Sequence, residues 1–167
     1  MTGMIIGGVI VAVIGIGVLT GGAPFVPTRK KWIADAMKLA KVGPGDVLVD
    51  LGSGDGTALT AALERGAQRA IGYEINPLLV IWSRLRLRRF GKRAAIKTGD
   101  FFRANLPADT TVIYLFQVEK VLKKIPDLIE KQRANIKTKK LRVVSFGAEI
   151  PGRKFVRELG GMSLYEF

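Results

Sequence analysis

Short apolar runs alternate with helical stretches along most of this chain of 167 residues, and this alternation restricts the fold more than any other feature. Because strands joined by helices run in the same direction, five such runs predict a parallel sheet with right-handed crossovers and helices on both faces. Two further runs flank the glycine pair at residues 160–161 and predict an antiparallel hairpin. We therefore expect an α/β fold, a doubly wound sheet of seven strands that ends in this hairpin. The segments with strand composition are "DVLVDLG", "RAIGYEI", "AAIKTGD", "TTVIYLF", "LRVVSFGAEI", "KFVREL" and "MSLYEF".

Four stretches repeat apolar residues at helical spacing, one before the first strand and three between strands. The stretch that follows the second strand, "NPLLVIWSRLRLRRFG", has Asn76 at the N-cap position and Pro77 at the first helical position. The stretch at residues 118–136 contains Pro126. Because proline interrupts a helix interior, we predict a break at that residue.

The segment at residues 3–23 has no charged side chain. As a helix it would reach roughly 31 Å, which is enough to cross the core of a bilayer. It lacks the basic start of a cleaved signal peptide. Arg29, Lys30 and Lys31 follow it and favour a cytoplasmic location, or its organelle equivalent, for what comes next. We predict a single-pass membrane anchor over residues 1–23 and one folded domain over residues 24–167, with an uncleaved signal-like segment or a buried helix as alternatives.

The composition excludes several kinds of chemistry. The chain has no cysteine and no histidine, so disulfides, thiolate metal sites, cysteine nucleophiles and Ser-His-Asp triads are ruled out. An enzyme of this composition must use carboxylates, hydroxyls, backbone groups or a reactive cofactor. The formal net charge of +13 favours anionic partner surfaces.

The glycine-rich stretch "VDLGSGDG", residues 49–56, directly follows the first strand. Ligands of such sheets bind beyond the carboxyl ends of the strands, next to the first strand. Thr57 stands where the dinucleotide fingerprint has its third glycine, and no Gly-Lys-Ser/Thr sequence follows as in a P-loop. The tight turn behind Asp50 therefore favours a small zwitterion over a pyrophosphate. A purely structural glycine turn is the alternative.

Two more polar signals follow the next two strands. Glu74 ends the second strand, where a carboxylate accepts hydrogen bonds from both ribose hydroxyls. Asp100 and Phe101 follow the third strand, where an acid accepts from an adenine amino group and a ring stacks on the base. These positions predict a ligand that contains adenosine.

Together these segments resemble the class I S-adenosylmethionine-dependent methyltransferases, whose Rossmann-like seven-strand sheet also ends in a hairpin. Within that superfamily, "GAPFVPT", "DLGSGDG", "GYEINPLLVIWSRLRLRR" and the apolar segment in front resemble the membrane-anchored protein lysine methyltransferases. These are related to the mitochondrial enzymes that act on the ATP synthase c subunit and the ADP/ATP carrier. The resemblance covers about residues 22–167 and is most specific over residues 23–28 and 49–86. That family tends to a glycine where Gln117 follows Phe116 in this chain.

The resemblance implies S-adenosylmethionine as cofactor, S-adenosylhomocysteine as product and no metal. It also implies that Thr28 bonds the methionine carboxylate. The expected cofactor-binding residues are Thr28, Asp50, Leu51, Gly52, Ser53, Gly54, Asp55, Gly56, Glu74, Ile75, Asn76, Asp100, Phe101 and Phe116. Three residues after the fourth strand are the catalytic candidates that would line the acceptor pocket, namely Phe116, Gln117 and Glu119.

The expected reaction is methyl transfer to the side-chain amine of a lysine, in a membrane protein that presents it close to the bilayer. The sulfonium methyl is already activated, so the protein mainly aligns an unprotonated amine, and histidine is dispensable. The expected partners are the lipid bilayer and this membrane protein. Basic side chains within residues 76–89 and 137–142 would lie against anionic headgroups.

The sequence leaves three alternatives open. The acceptor is an amine on a lipid headgroup, or an RNA, or the protein is a cofactor-binding scaffold without activity. A cluster of basic residues favours RNA: Arg84, Arg86, Arg88, Arg89, Lys92 and Arg93. Against it, an anchor would separate the enzyme from most RNA. The fourth strand also lacks the Asn/Asp-Pro-Pro-Tyr/Phe sequence of enzymes that methylate exocyclic amines of bases, so nucleic acid is not an expected partner.

Overall fold

A computed structural model describes residue 26, residues 28–147 and residues 149–167 of the chain. The predicted anchor over residues 1–23 lies outside the described residues. Within the described ranges, no helix is both long enough and apolar enough to cross a membrane.

The described residues form the predicted seven-stranded sheet. In space the strands follow the order β3-β2-β1-β4-β5-β7-β6. The first five strands are parallel, and β7 runs antiparallel to both β5 and β6. The α/β fold with a C-terminal hairpin is therefore confirmed. The strands are β1 (Val47–Leu51), β2 (Arg69–Glu74), β3 (Ala94–Thr98), β4 (Val112–Leu115), β5 (Arg142–Phe146), β6 (Arg157–Leu159) and β7 (Met162–Glu166).

The helices of this part of the chain are α1 (Lys30–Leu39), α2 (Thr57–Glu64), α3 (Pro77–Leu87), α4 (Glu119–Leu122) and α5 (Ile125–Arg133), with short 3-10 turns at Arg88–Arg93 and Phe101–Arg103. The N-cap prediction for α3 is confirmed, because the Asn76 side chain accepts a hydrogen bond from the Leu78 N–H at 3.0 Å. The predicted interruption of this helical stretch is confirmed, although it falls just before Pro126 rather than at it. Pro126 lies in the first turn of α5, where its missing N–H costs nothing, and the interruption lies between Leu122 and Ile125.

Two apolar cores hold the sheet, one on each face. On β1, Leu48 belongs to the core under α1, α2 and α3, whereas Val49 belongs to the core under α4 and α5. Both side chains are completely buried. Burial of each is worth about 1.5–3 kcal/mol. The sheet is therefore a rigid platform, and the loops beyond its strands carry the polar groups.

The carboxyl ends of three strands meet at one edge. In the parallel register, Asp50 of β1 lies beside Gly72 of β2 and Tyr114 of β4. Gly72 allows a close approach there, because an added Cβ would lie 2.4 Å from the Ser53 Oγ. The loop after β1 thus folds directly against β2.

Candidate active site

A cavity of about 750 Å³ opens at the carboxyl ends of β1, β2 and β4. Its volume falls within the range of small-molecule sites, about 300–1,000 Å³. Most of the residues predicted for the site line it. They are Thr28, Asp50, Gly52, Ser53, Gly54, Asp55, Glu74, Ile75, Asn76, Asp100, Phe101, Phe116 and Gln117.

The glycine-rich loop after β1 is held by its backbone. The φ angles of Gly52 and Gly54 are 96° and 52°, in the left-handed region that favours glycine. The N–H groups of Gly52 and Ser53 both donate to the Tyr73 carbonyl, at 2.9 and 3.0 Å. The glycines therefore have a structural function, and they also bring backbone to the wall of the cavity.

Glu74 joins the loops that follow β1 and β2. Its Oε2 accepts from the Gly54 N–H and its Oε1 from the Asn76 N–H, both at 2.8 Å. The residue is buried. A carboxylate has about four acceptor positions, so about two remain for ribose hydroxyls. The sequence predicted the binding role only, and the structure adds the support of both loops.

Asp50 is buried at the base of the cavity. Burial, and then the negative charges of Glu74 and Asp55, raise the pKa of the Asp50 carboxyl well above its usual value. A cationic ligand in this cavity is therefore favoured, because its positive charge would stabilise the ionised form of Asp50.

Tyr114 of β4 faces the same space. Burial, and then the charge on Asp50, raise the pKa of the Tyr114 hydroxyl, and the side chain of Thr28 partly offsets this rise. Thr28 therefore lies at the cavity with Tyr114. Sequence reasoning missed Tyr114, although its hydroxyl stands among apolar residues at the end of the run "TTVIYLF" and so indicated a polar function.

At the end of the cavity formed after β3, Asp100 accepts a hydrogen bond from the Phe102 N–H at 2.9 Å and so begins a 3-10 turn. This turn places Phe101 at the cavity wall. The ring centroids of Phe101 and Phe102 lie 4.5 Å apart. The pair supplies an apolar surface beside an acid, as an adenine ring requires.

At the opposite end, Phe116 directly after β4 and Phe146 at the end of β5 meet Trp32 of α1, and we name these three residues the aromatic cluster. Ring centroids lie 4.3 Å apart for Trp32 and Phe146 and 4.9 Å apart for Phe116 and Phe146. Phe116 and Phe146 line the cavity. Phe146 follows from no sequence signal that we recognised.

Gln117 closes the gap between the ends of β1 and β4. Its Nε2 donates to the Leu51 carbonyl at 2.7 Å. It occupies the space that a side chain at Gly52 would need, because an added Cβ would lie 2.1 Å from this nitrogen. Gln117 therefore packs directly over Gly52.

Residues 50–157 match the family model described as the ANTKMT methyltransferase domain. The chain belongs to this family. It is 33% identical over 132 residues to a protein-lysine N-methyltransferase of Saccharolobus islandicus, and the match covers 77% of the chain and 79% of that relative. It is 34% identical over 111 residues to the Homo sapiens enzyme named as the lysine N-methyltransferase of the ATP synthase c subunit, and this match covers 65% of the chain and 46% of the human enzyme. The chain thus spans under half of the human relative's length.

A solved structure is also similar to this ANTKMT-family chain. It is the RNA methyltransferase from Salinibacter ruber in complex with S-adenosyl-L-homocysteine, with a TM-score of 0.74 and 30% identity, and the match covers 85% of the chain and 92% of that structure. The expected superfamily, cofactor and enzyme class, an S-adenosylmethionine-dependent protein-lysine methyltransferase, are therefore confirmed.

The residues present fit this cofactor. S-adenosylmethionine carries a sulfonium and an ammonium, which match the acidic side chains of Asp50, Asp55 and Glu74. The Ser53 Oγ is buried and has no hydrogen-bond partner among the described residues. Since such a group costs about 1–3 kcal/mol when left unpaired, it points to a polar ligand at this loop.

Three of the residues predicted for the site do not line the cavity. Leu51 is completely buried in the core below it. Gly56 is the N-cap of α2, where an added Cβ would lie 3.1 Å from the Ser83 Cβ, so its role is packing. Glu119 is on the exposed side of α4 and pairs with Lys123 at 2.8 Å. The expectation that Glu119 lines the acceptor pocket is therefore corrected.

Proposed function

We propose that this methyltransferase transfers a methyl group from S-adenosylmethionine to the side-chain amine of a lysine, in a membrane protein that presents this lysine close to the bilayer. The observation that carries the proposal is a single cavity with carboxylates at one end and the aromatic cluster at the other. The protein-lysine N-methyltransferase of Saccharolobus islandicus, 33% identical over 132 residues, supports the same acceptor.

At the carboxylate end, Asp50, Glu74 and Asp100 hold the cofactor in this proposal. Bound S-adenosylmethionine supplies a methyl group that its sulfonium has already activated. Glu74 accepts from the ribose hydroxyls with the acceptor positions that Gly54 and Asn76 leave. Thr28, next to Tyr114, would bond the methionine carboxylate, so a residue that precedes α1 becomes part of the site.

At the other end, Phe116 and Phe146 line the path of the acceptor lysine. An aliphatic lysine stem packs well on aromatic rings. Their apolar surface also desolvates the amine and lowers its pKa from its reference value of about 10.4, which increases the neutral, nucleophilic fraction. The Gln117 Oε1 would accept a hydrogen bond from this amine and so fix its orientation in the cavity. Proximity and alignment then supply the rate acceleration.

Lys120 and Lys124 also line the cavity, and both are exposed. Their positive charges disfavour a protonated lysine and so favour the neutral amine. The same charges attract phosphate. Lys120 and Lys124 therefore give different effects for a lysine acceptor and for an acceptor that carries phosphate.

RNA is the second candidate acceptor, and two observations favour it. The similar Salinibacter ruber structure is named an RNA methyltransferase. In addition, residues 84–93 contain six basic side chains. Single bases require stacking platforms and a basic groove. The rings of the aromatic cluster are partly covered by one another and by the core, and a slim lysine stem needs less free ring face than a stacked base, which favours lysine.

The test is methyl transfer from radiolabelled S-adenosylmethionine by the full chain, with membrane proteins, soluble proteins, lipids and RNA from one lysate separated afterwards. Label on lysine of a membrane protein is the expected result. Deletion of residues 1–21 should lower transfer to membrane proteins while cofactor affinity stays equal. Label mainly on RNA or lipid, or mainly on soluble proteins at the same rate for both forms, would reject the proposal.

A further inference from the structure

Helix α3 is apolar on two faces, although a surface helix needs only one. Its inner face packs on the sheet through Leu79, Val80 and Leu87, which are buried. The outer face carries four more large apolar side chains, and we name them the outer stripe. They are Leu78, Ile81, Trp82 and Leu85, exposed by 38%, 57%, 52% and 61%.

The outer stripe is continuous. Its members follow the spacing i, i+3, i+4 and i+7, so they lie next to one another along one side of the helix. Among the described residues, half of the exposed large apolar side chains belong to it. Scattered exposed side chains are ordinary, whereas a contiguous apolar patch marks an interaction surface.

Basic residues are concentrated in the segment that carries the stripe. Residues 75–99 contain seven lysines and arginines and no acidic residue. Some of these cations have internal partners, as Arg86 has Asp55 at 3.0 Å. Arg88 and Lys92 are exposed and have no ion-pair partner within the described part of the chain. The surface therefore combines apolar insertion with positive charge.

An anionic bilayer matches this combination better than other occupants. Tryptophan prefers the boundary between headgroups and acyl chains, and arginine beside it meets lipid phosphates. A second copy would bring two basic surfaces of chains with net charge +13 against each other. RNA would gain little from leucine and isoleucine side chains.

We propose that the outer stripe of α3 inserts into the headgroup region of an anionic bilayer. The stripe begins at Leu78, and its neighbours Asn76 and Leu79 line the cavity. Docking through α3 therefore holds the cavity near the lipid surface. The inference rests on the proposed function for its biological purpose, which is to bring the site to a lysine close to the membrane.

The test uses the fluorescence of Trp82 in the full chain, reconstituted into vesicles of phosphatidylcholine and phosphatidylglycerol with brominated acyl chains. The chain has two tryptophans, so Trp32→Phe leaves Trp82 alone. We expect brominated lipid to reduce its emission by at least half and acrylamide to have little effect. The emission of the wild type minus the emission of Trp82→Phe also gives the emission of Trp82, in a chain that keeps Trp32.

The double substitution Ile81→Asn with Leu85→Asn should abolish quenching by lipid. Its matched control is Val156→Asn, an exposed apolar residue beside the hairpin, which should leave quenching unchanged. Cofactor affinity, measured in parallel, shows that each variant is folded.

Three outcomes would overturn the inference. Quenching by acrylamide but not by lipid would show that the stripe faces water. Protection from both quenchers would show that protein covers it, either residues 1–25, a second copy or the substrate. Protection only after RNA is added would assign the surface to nucleic acid. None of these readouts involves methyl transfer, so failure of the proposed function is observed separately.

Discussion

Glu74 accepts a hydrogen bond from the backbone N–H of Gly54 at 2.8 Å, although the two residues are 20 positions apart in the chain. This contact connects the loops that follow β1 and β2. In the proposed site it also fixes the side chain that receives the ribose. Binding and local stability are therefore coupled at one carboxylate.

Replacement of Glu74 with alanine should weaken S-adenosylmethionine binding by about 1.5–3 kcal/mol, which is the range for loss of an acceptor that carries a charge. It should also lower the melting temperature, because two backbone N–H groups lose their partner. Calorimetric titration and thermal unfolding measure the two effects. Glu64→Ala is the matched control, since that carboxylate is exposed and pairs with Arg89 on the surface. Wild-type affinity in Glu74→Ala would show that the ribose binds elsewhere.

Asp50→Asn should stabilise the protein without ligand and weaken cofactor binding. The pKa of Asp50 is higher in the folded state than in the unfolded chain, where it is about 3.9. The free energy of unfolding therefore falls as the pH rises above this unfolded pKa. This destabilisation is fully present above the pKa of Asp50 in the folded state, and it disappears as the pH falls below the pKa in the unfolded chain. The gain in melting temperature of Asp50→Asn should therefore be greatest at neutral pH and shrink toward pH 4.

Thermal unfolding with and without S-adenosylmethionine tests both parts of that expectation. The cationic cofactor should raise the melting temperature of the wild type more than that of Asp50→Asn. Asp127→Asn, at an exposed position of α5, is the control for loss of one carboxylate. If Asp50→Asn is less stable than the wild type at neutral pH, the ionised carboxylate stabilises the folded protein even without ligand, and the expectation is wrong.

Gly52→Ala should destabilise the protein by about 1–3 kcal/mol, from a left-handed φ and from overpacking. The added methyl meets the Gln117 Nε2. Gln117→Ala removes that obstacle but also a hydrogen bond worth about 1 kcal/mol. In a double-mutant cycle measured by urea unfolding, the two substitutions together should therefore destabilise the protein by less than the sum of their separate effects. Strict additivity would mean that the two residues do not share the space.

Much of the site was predictable because parallel strands end at one edge of the sheet. Asp50 is next to the last residue of β1, Glu74 ends β2 and Asp100 follows β3, so the alternation of strands and helices was enough to bring them together. The N-cap at Asn76 was predictable for a similar reason, because capping depends on neighbours two or three positions away.

The remainder depended on packing between distant segments. Gly56 follows the same pattern as Gly52 and Gly54, but its contact is with Ser83 of α3, which no local rule reports. Glu119 follows the fourth strand, yet α4 has only four residues, and its orientation turns that carboxylate outward. Phe146 reaches the cavity because β5 lies beside β4, a neighbour relation that spacing along the chain does not encode.

Thr28 connects the N-terminal segment to the site, so truncation should separate anchoring from binding. Deletion of residues 1–21 should preserve cofactor affinity, whereas deletion of residues 1–31 should abolish it. Thr28→Val in the full chain should weaken binding about three- to tenfold, as expected for one hydrogen bond. Equal affinity in both truncations and in Thr28→Val would remove Thr28 from the site.

Lys120 and Lys124 distinguish the two candidate acceptors by pH and by salt. If the acceptor is lysine, replacement of both with glutamine removes positive charge near the amine, so its pKa rises. The neutral fraction at a given pH then falls, and the pH dependence of kcat should move to higher pH. Because both side chains are exposed, the shift should be small and should shrink as salt is added.

If the acceptor is RNA, the same variant should raise KM at low salt and leave the pH dependence of kcat in place. Lys131→Gln with Lys137→Gln, which removes two charges away from the cavity lining, is the matched control. A change in KM alone, abolished by salt, would therefore contradict lysine as the acceptor.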